Sequence, residues 1–253
     1  MCCFSRPVKL VAKTNIFARA SSKGRQFLVY SMIVDAGEEL AMILPIPVPT
    51  DSDDDAVRFI NLEEYADFFD EIRSGFPAPK SASLDRDVNS PGRSKAPLKV
   101  EQVGSFEASF VPSIKDFSRL DERFRLPAEV WDKLPMYKEF GFTVFQLMRE
   151  KRGAQKVHPM AFEFPRARPQ RLFFPTVHIH DGAVHPKAHF DHFLYCQPSA
   201  GENVMMWEES AQPVGMYMKK HEACQGLLDA DAHCYRKTLI GDLKNEDTLV
   251  LSA

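Results

Sequence analysis

Five of the eight histidines fall between His178 and His192, where even scattering would place fewer than one. The run reads Phe173-Phe174-Pro175-Thr176-Val177-His178-Ile179-His180, then Asp181-Gly182, then Ala183-Val184-His185-Pro186-Lys187-Ala188-His189-Phe190-Asp191-His192. Neutral imidazole ligates zinc, copper, iron and nickel alike, so the chemistry such a cluster suggests is transition-metal binding. Asp-Gly between two alternating runs predicts a β-hairpin with a two-residue turn. That turn would pair His180 with Ala183 and His178 with His185. Alternation would then put His178, His180, His185 and His189 on one face. Directly opposed residues lie about 5 Å apart at Cβ, close enough for two imidazoles to hold one ion with bonds of about 2.0–2.1 Å. The other face, with Val177, Ile179, Val184, Ala188 and Phe190, is apolar and needs a core. His192 has the wrong parity unless a bulge intervenes, and Pro186 puts the second strand at an edge or a bulge. A solvated polar face with no role is the competing reading.

Cys2 and Cys3 are the second candidate. Removal of Met1 would leave Cys2 with a free α-amine beside its own thiol, the pairing that N-terminal-nucleophile amidohydrolases use. As a thiolate ligand, Cys2 or Cys3 would tilt a histidine site toward zinc or Cu(I). Two buried small residues opening a strand would explain them equally well. His158, the pair His221 and Cys224, and the pair His233 and Cys234 are ligand types at spacings common by chance. Asp51-Ser52-Asp53-Asp54-Asp55 imitates a calcium loop, but Ala56 stands at its glycine position and Leu62 at its bidentate position. No G-x-G-x-x-G, G-x-x-x-x-G-K or C-x-x-C occurs, so nucleotide binding by those routes has no support.

The elements that would position these residues are mostly strands. Gln26 to Val34 is β-branched and aromatic, and Leu40 to Leu44 is a second apolar run; the turn residues between them predict a hairpin. Pro45, Pro47 and Pro49 then argue against a central strand. A helix is expected from Leu62 to Ser74, with Asn61 as N-cap, Glu64 completing a capping box and Gly75 past the end. Ser113 to Lys138 reads as mixed helix broken at Pro127 and Pro135. Strands are expected at Lys99–Val111, Phe142–Met148, Val157–Phe164, Arg171–His180, Val184–Cys196 and Thr248–Leu251, and a helix around Lys219–Leu228. The fold class predicted is α+β, mostly antiparallel sheet with flanking helices.

Between Phe76 and Pro97, proline, serine and charge replace apolar residues, which predicts an exposed linker or loop. It divides the chain into a strand-helix unit over 1–76, a flexible segment over 77–97 and an α+β region over 98–253. The 253 residues carry a net charge of −3, with 44% hydrophobic and 26% charged residues. That composition excludes wholesale disorder. The scattered Lys and Arg give no footprint for nucleic acid. No stretch reaches the roughly 18 apolar residues of a membrane span, and the first residues do not read as a secretory signal. A cytoplasmic location with free thiols is therefore expected.

The first 75 residues resemble a family of uncharacterised bacterial proteins with a cysteine-containing mature N-terminus, two strands and an Ala-x-Val-Leu-Pro-x-Pro motif. The residues carrying the resemblance are Cys2-Cys3-Phe4 and Ala41-Met42-Ile43-Leu44-Pro45-Ile46-Pro47. It covers under a third of the chain and implies a domain but no activity; the secretory signal common in that family is absent. The leading expectation is a transition-metal-binding protein that could serve as a metalloenzyme, holding zinc or copper on His178, His180, His185 and His189 with Cys2 and Cys3. An N-terminal-cysteine amidohydrolase with Cys2 as nucleophile is the first alternative. A non-catalytic interaction protein is the second. The partner is an unknown small molecule or protein.

Overall fold

The computed structural model describes residues 2–21, 24–35, 39–77, 101–104, 106–126, 128–147, 155–156, 159–179, 183–199 and 201–251. The strands in chain order are β1 (Cys2–Phe4), β2 (Leu10–Ala20), β3 (Arg25–Asp35), β4 (Leu40–Ile46), β5 (Arg58–Ile60), β6 (Glu101–Val103), β7 (Phe106–Val111) and β8 (Gly141–Leu147). There follow β9 (Gln155–Lys156), β10 (Met160–Pro165), β11 (Arg171–Phe174), β12 (His178–Ile179), β13 (Lys187–Gln197), β14 (Glu208–Glu209), β15 (Tyr235–Lys244) and β16 (Thr248–Leu251). Two large sheets result. One runs β12-β1-β4-β8-β7-β6; the other runs β14-β15-β13-β2-β3-β10-β5, with β9 also on β3. A small third sheet joins β11 to β16.

The described residues are mostly β, with 44% in strands and 16% helical. This corrects the expected α+β class with flanking helices. Among the described residues the α-helices are α1 (Phe68–Ser74) and α2 (Ala128–Asp132). The expected Leu62–Ser74 helix is split. Asn61 accepts a bond from the Glu63 amide at 2.8 Å, just ahead of a single 3-10 turn over Glu63–Tyr65 that precedes α1. The stretch from Ser113 to Lys138 likewise breaks into short 3-10 turns around α2.

Strand patterning follows from three apolar layers. Leu40, Met42, Leu44 and Ile46 point into the space between the large sheets, beside Ile16, Leu28, Tyr30, Phe145 and Phe162. Ala41 and Ile43 point the other way, onto a cluster with Phe117, Trp131, Leu134 and Tyr137. The outer face of the second sheet, with Phe17, Val29 and Ala161, is covered by α1 and by Val214, Met218 and Leu227. Both faces are dry, so these strands read as continuous apolar runs rather than alternating ones. β3 and β4 consequently do not form the expected hairpin. β3 pairs with β2 and β10, whereas β4 pairs with β1 and β8 in the opposite sheet. Pro45 does sit within β4, opposite Phe142. β1 pairs β4 only at Met42 and Ile43, so at Pro45 the strand has one neighbour and can spare a donor.

Residues before 77 and after 98 share both large sheets. β1 lies on β12 and β4 on β8; β2 lies on β13 and β3 on β10. Most of the 77–97 segment, residues 78–97, lies outside the described residues.

Candidate functional site

The histidine segment does not form its hairpin. β12 pairs in parallel with β1, placing His178 opposite Cys2 and Ile179 opposite Cys3. β13 instead joins the other sheet, between β15 and β2. The core explains the parting. Val177 and Ile179 pack with Trp131 and Tyr137 outside the first sheet, while Leu194 and Cys196 fill the space between the sheets. His185 and His189 are exposed, and His189 Nδ1 lies 3.0 Å from Asp242. His180 and the Asp181-Gly182 turn lie outside the described residues.

The imidazoles that do meet are His178 and His192, both buried, with their Nε2 atoms 3.0 Å apart. Phe190 stacks on both, with ring centroids 4.5 and 5.1 Å away. Each Nε2 faces the other instead of an open centre. Among the described residues no group of three or more His, Cys, Asp or Glu side chains gathers to hold a metal ion. The expected transition-metal-binding function is therefore corrected: among the described residues His178, His185 and His189 do not gather on one face, while His180 and the Cys2 side chain lie outside the described residues. Cys3 is fully buried in the outer cluster of the first sheet, and the Cys2 backbone sits in β1. The remaining thiols are buried too. Burial pushes Cys224 up to about 12 and also raises Cys196 and Cys234, so they stay protonated and unreactive. His221 and His233 each bond a backbone carbonyl, of Met218 and Ser210 respectively, at 2.8 Å.

What fixes the segment before His178 is a polar clasp on the β15–β16 connection. Asp247 Oδ1 accepts from the amides of Thr176 at 2.8 Å and Val177 at 3.1 Å. Its other oxygen accepts from the Tyr137 hydroxyl at 2.5 Å. Burial, with the Asp247 charge beside it, raises the Tyr137 phenol far above its usual range, so it remains a donor. Asn245 Oδ1 accepts from the His178 amide at 2.7 Å, and Asn245 Nδ2 donates to the carbonyls of His178 and His185. These bonds lock the segment before His178 onto the β15–β16 connection.

A second arrangement stands where the chain leaves the described core after residue 77 and re-enters it at 101. Phe76 is buried against Tyr195 at 5.8 Å between centroids, with the Arg236 guanidinium 4.6 Å above its ring. The Gly75 carbonyl accepts from the Ala211 amide at 2.9 Å. A Cβ on Gly75 would come within 2.3 Å of the Tyr217 ring, so this glycine is needed for close approach rather than for a left-handed turn; its φ is −70°. On the return, Glu101–Val103 pairs with β7 at the edge of the first sheet, and Gln102 Nε2 donates to the carbonyls of Gly104 and Phe106. Two fixed shoulders thus flank the proline-, serine- and charge-rich segment. Sequence reasoning singled out that segment by composition but did not see its anchors, which at the first shoulder come from residues more than 100 positions away.

No family model matches the chain, and no curated protein matches it. Solved structures do. The crystal structure of baculovirus P35 matches with a TM-score of 0.50 at 15% identity, over 97% of this chain and 97% of that one. A mutated baculovirus P35 after caspase cleavage matches with a TM-score of 0.51 at 14% identity, over 96% of this chain and 100% of that one. At such identities the likeness is one of fold, and it runs through nearly the whole chain.

Proposed function

We propose that this chain is a non-catalytic interaction protein that offers a peptide segment to a caspase-type protease and retains the protease after the cut. The observation that carries the reading is the match to mutated P35 after caspase cleavage, which spans all of that chain. Two features of this chain support it. Between the two shoulders the sequence runs Ser83-Leu84-Asp85-Arg86-Asp87-Val88, and caspases are proteases that cut after aspartate. The strands on either side of the segment are interleaved in both large sheets, so a cut there leaves one folded body rather than two departing products. A product that cannot leave blocks the enzyme that made it. Protein partner, rather than small molecule, is the class this supports.

The test is incubation of the purified chain with a panel of caspases, following fragment masses and residual protease activity together. The expected result is a single cut after Asp85 or Asp87, fragments that co-elute, and protease activity that falls in proportion to the chain added. Asp85→Ala with Asp87→Ala abolishes both the cut and the inhibition. No cut by any member of the panel would overturn the proposal. So would a cut that leaves protease activity untouched, since the chain would then be a substrate only.

A further inference from the structure

A cleft of about 570 Å³ lies on the outer face of the second sheet, lined by Arg19, Ser21, Arg25, Phe27, Arg58, Glu163 and Gly226. Four of these form one row across four adjacent strands. Arg19 on β2 is opposite Phe27 on β3. Phe27 is opposite Glu163 on β10, and Glu163 is opposite Arg58 on β5. Arg25, two residues before Phe27, projects from the same face. The row sits where the apolar cover of that face ends, with Phe27 as its last buried ring.

Three guanidiniums share this cleft with a single lining carboxylate. Glu163 Oε2 lies 3.0 Å from Arg58 Nε and 3.7 Å from Arg25 Nε. Arg19 is held by backbone instead, donating to the carbonyls of Leu227 at 2.9 Å and Gly226 at 2.5 Å. Arg25 donates to the carbonyls of Ala56 and Glu163. Arg19 and Arg58 also flank the Phe27 ring, at 5.3 and 5.9 Å from its centroid. These contacts fix the planes of the guanidiniums, and each retains donors beyond the bonds it makes, because the group carries five. Burial lowers the Arg19 pKa from its ordinary value, against the pull of Asp229 and Glu163, so cationic charge is held there at a desolvation cost that an incoming anion would offset.

We propose that this cleft binds a phosphate group. Preset guanidinium forks match the geometry of phosphate oxygens better than any other side chain does. The volume lies within the roughly 300–1,000 Å³ usual for small-molecule sites, which leaves room for the remainder of a phosphate ester. None of the residues lining the cleft belongs to the segment offered to a protease, so the two proposals stand or fall independently.

Titration calorimetry on the full chain with inorganic phosphate, adenosine monophosphate and citrate tests this. Phosphate-bearing probes bind, citrate does not, and affinity falls as salt rises. Tighter binding of adenosine monophosphate than of inorganic phosphate assigns the source as an ester; equal binding assigns it as the free ion. Arg58→Gln and Arg19→Gln each weaken binding at least tenfold, while Arg58→Lys, which keeps the charge but not the fork, weakens it less than Arg58→Gln. Melting curves without probe confirm that the variants are folded. Absence of binding by all three probes, preference for citrate, or affinity unchanged in both glutamine variants would overturn the proposal.

Discussion

The histidine segment and the arginine cleft are opposites. The histidines are crowded in the chain, yet the fold sends the two halves of their segment to different sheets, with His178 and His192 in contact across them. The arginines are spread over 40 positions and their carboxylate lies 105 residues past Arg58, yet four strands bring them into one row. Crowding in sequence is evidence of a site only if the local elements hold together. Here the demand of separate apolar layers for Val177 and Ile179 on one side, and Leu194 and Cys196 on the other, outweighs an Asp-Gly turn signal.

The comparison is most open to attack at the clasp that holds the histidine segment to the first sheet. Asp247→Ala strands two buried amides and a buried phenol at once, so it is expected to cost about 3 kcal/mol at 1–3 kcal/mol per unsatisfied group. A lowered melting midpoint checks it; a loss under about 1 kcal/mol, within reach of ordinary substitutions, would mean the clasp does not hold the segment. A double-mutant cycle then asks which histidines meet. His178→Ala and His192→Ala should couple by about 1 kcal/mol, the scale for contacting pairs. His178→Ala and His185→Ala should add within error, although these two are nearer in sequence. The reverse pattern in denaturant unfolding would restore the hairpin register. In the cleft, Arg58→Ala and Glu163→Ala should couple by about 0.5 kcal/mol, the range for a half-exposed ion pair; zero coupling would make the row a coincidence of register.

A pH-dependent effect concerns Glu202, buried 3.8 Å from Arg166. Burial raises its pKa above the ordinary carboxylate value, against the pull of the Ser199 amide and Arg166. A carboxyl raised in the folded state contributes stability below its unfolded pKa and loses it as pH rises through the folded one. Glu202→Gln should therefore gain on the natural chain between acid and neutral pH, by under about 1 kcal/mol, as replacement of buried ionic groups often does. Chemical denaturation at several pH values reads this; a Gln variant that falls behind as pH rises would show the ion pair to be net stabilising.

Strand positions were legible where apolar runs are long: Gln26 to Val34, Phe142 to Met148 and Thr248 to Leu251 all lie in or against observed strands. Their partners were not, since a run buried on both faces carries no mark of which sheet it enters. Helix content was overread because capping signals at Asn61 and periodic apolar residues at Leu62, Tyr65 and Phe69 serve a 3-10 turn and a seven-residue helix equally well. His192 was set aside on parity within a hairpin that does not exist. Arg19, Arg25 and Arg58 had no sequence signal at all, and only strand register reveals them.

The parallel pairing of β2 with β13 has a consequence for biosynthesis. β2 ends at Ala20, and the strand that covers its edge is complete only at Gln197. At roughly 5–20 residues per second of translation, that edge waits on the order of ten seconds or more before its neighbour exists. During that interval the β2 edge stays unpaired, even after β4, β8 and β10 have been made, and an open edge invites other strands. Truncation before β13 is therefore expected to leave that edge free to pair with other chains.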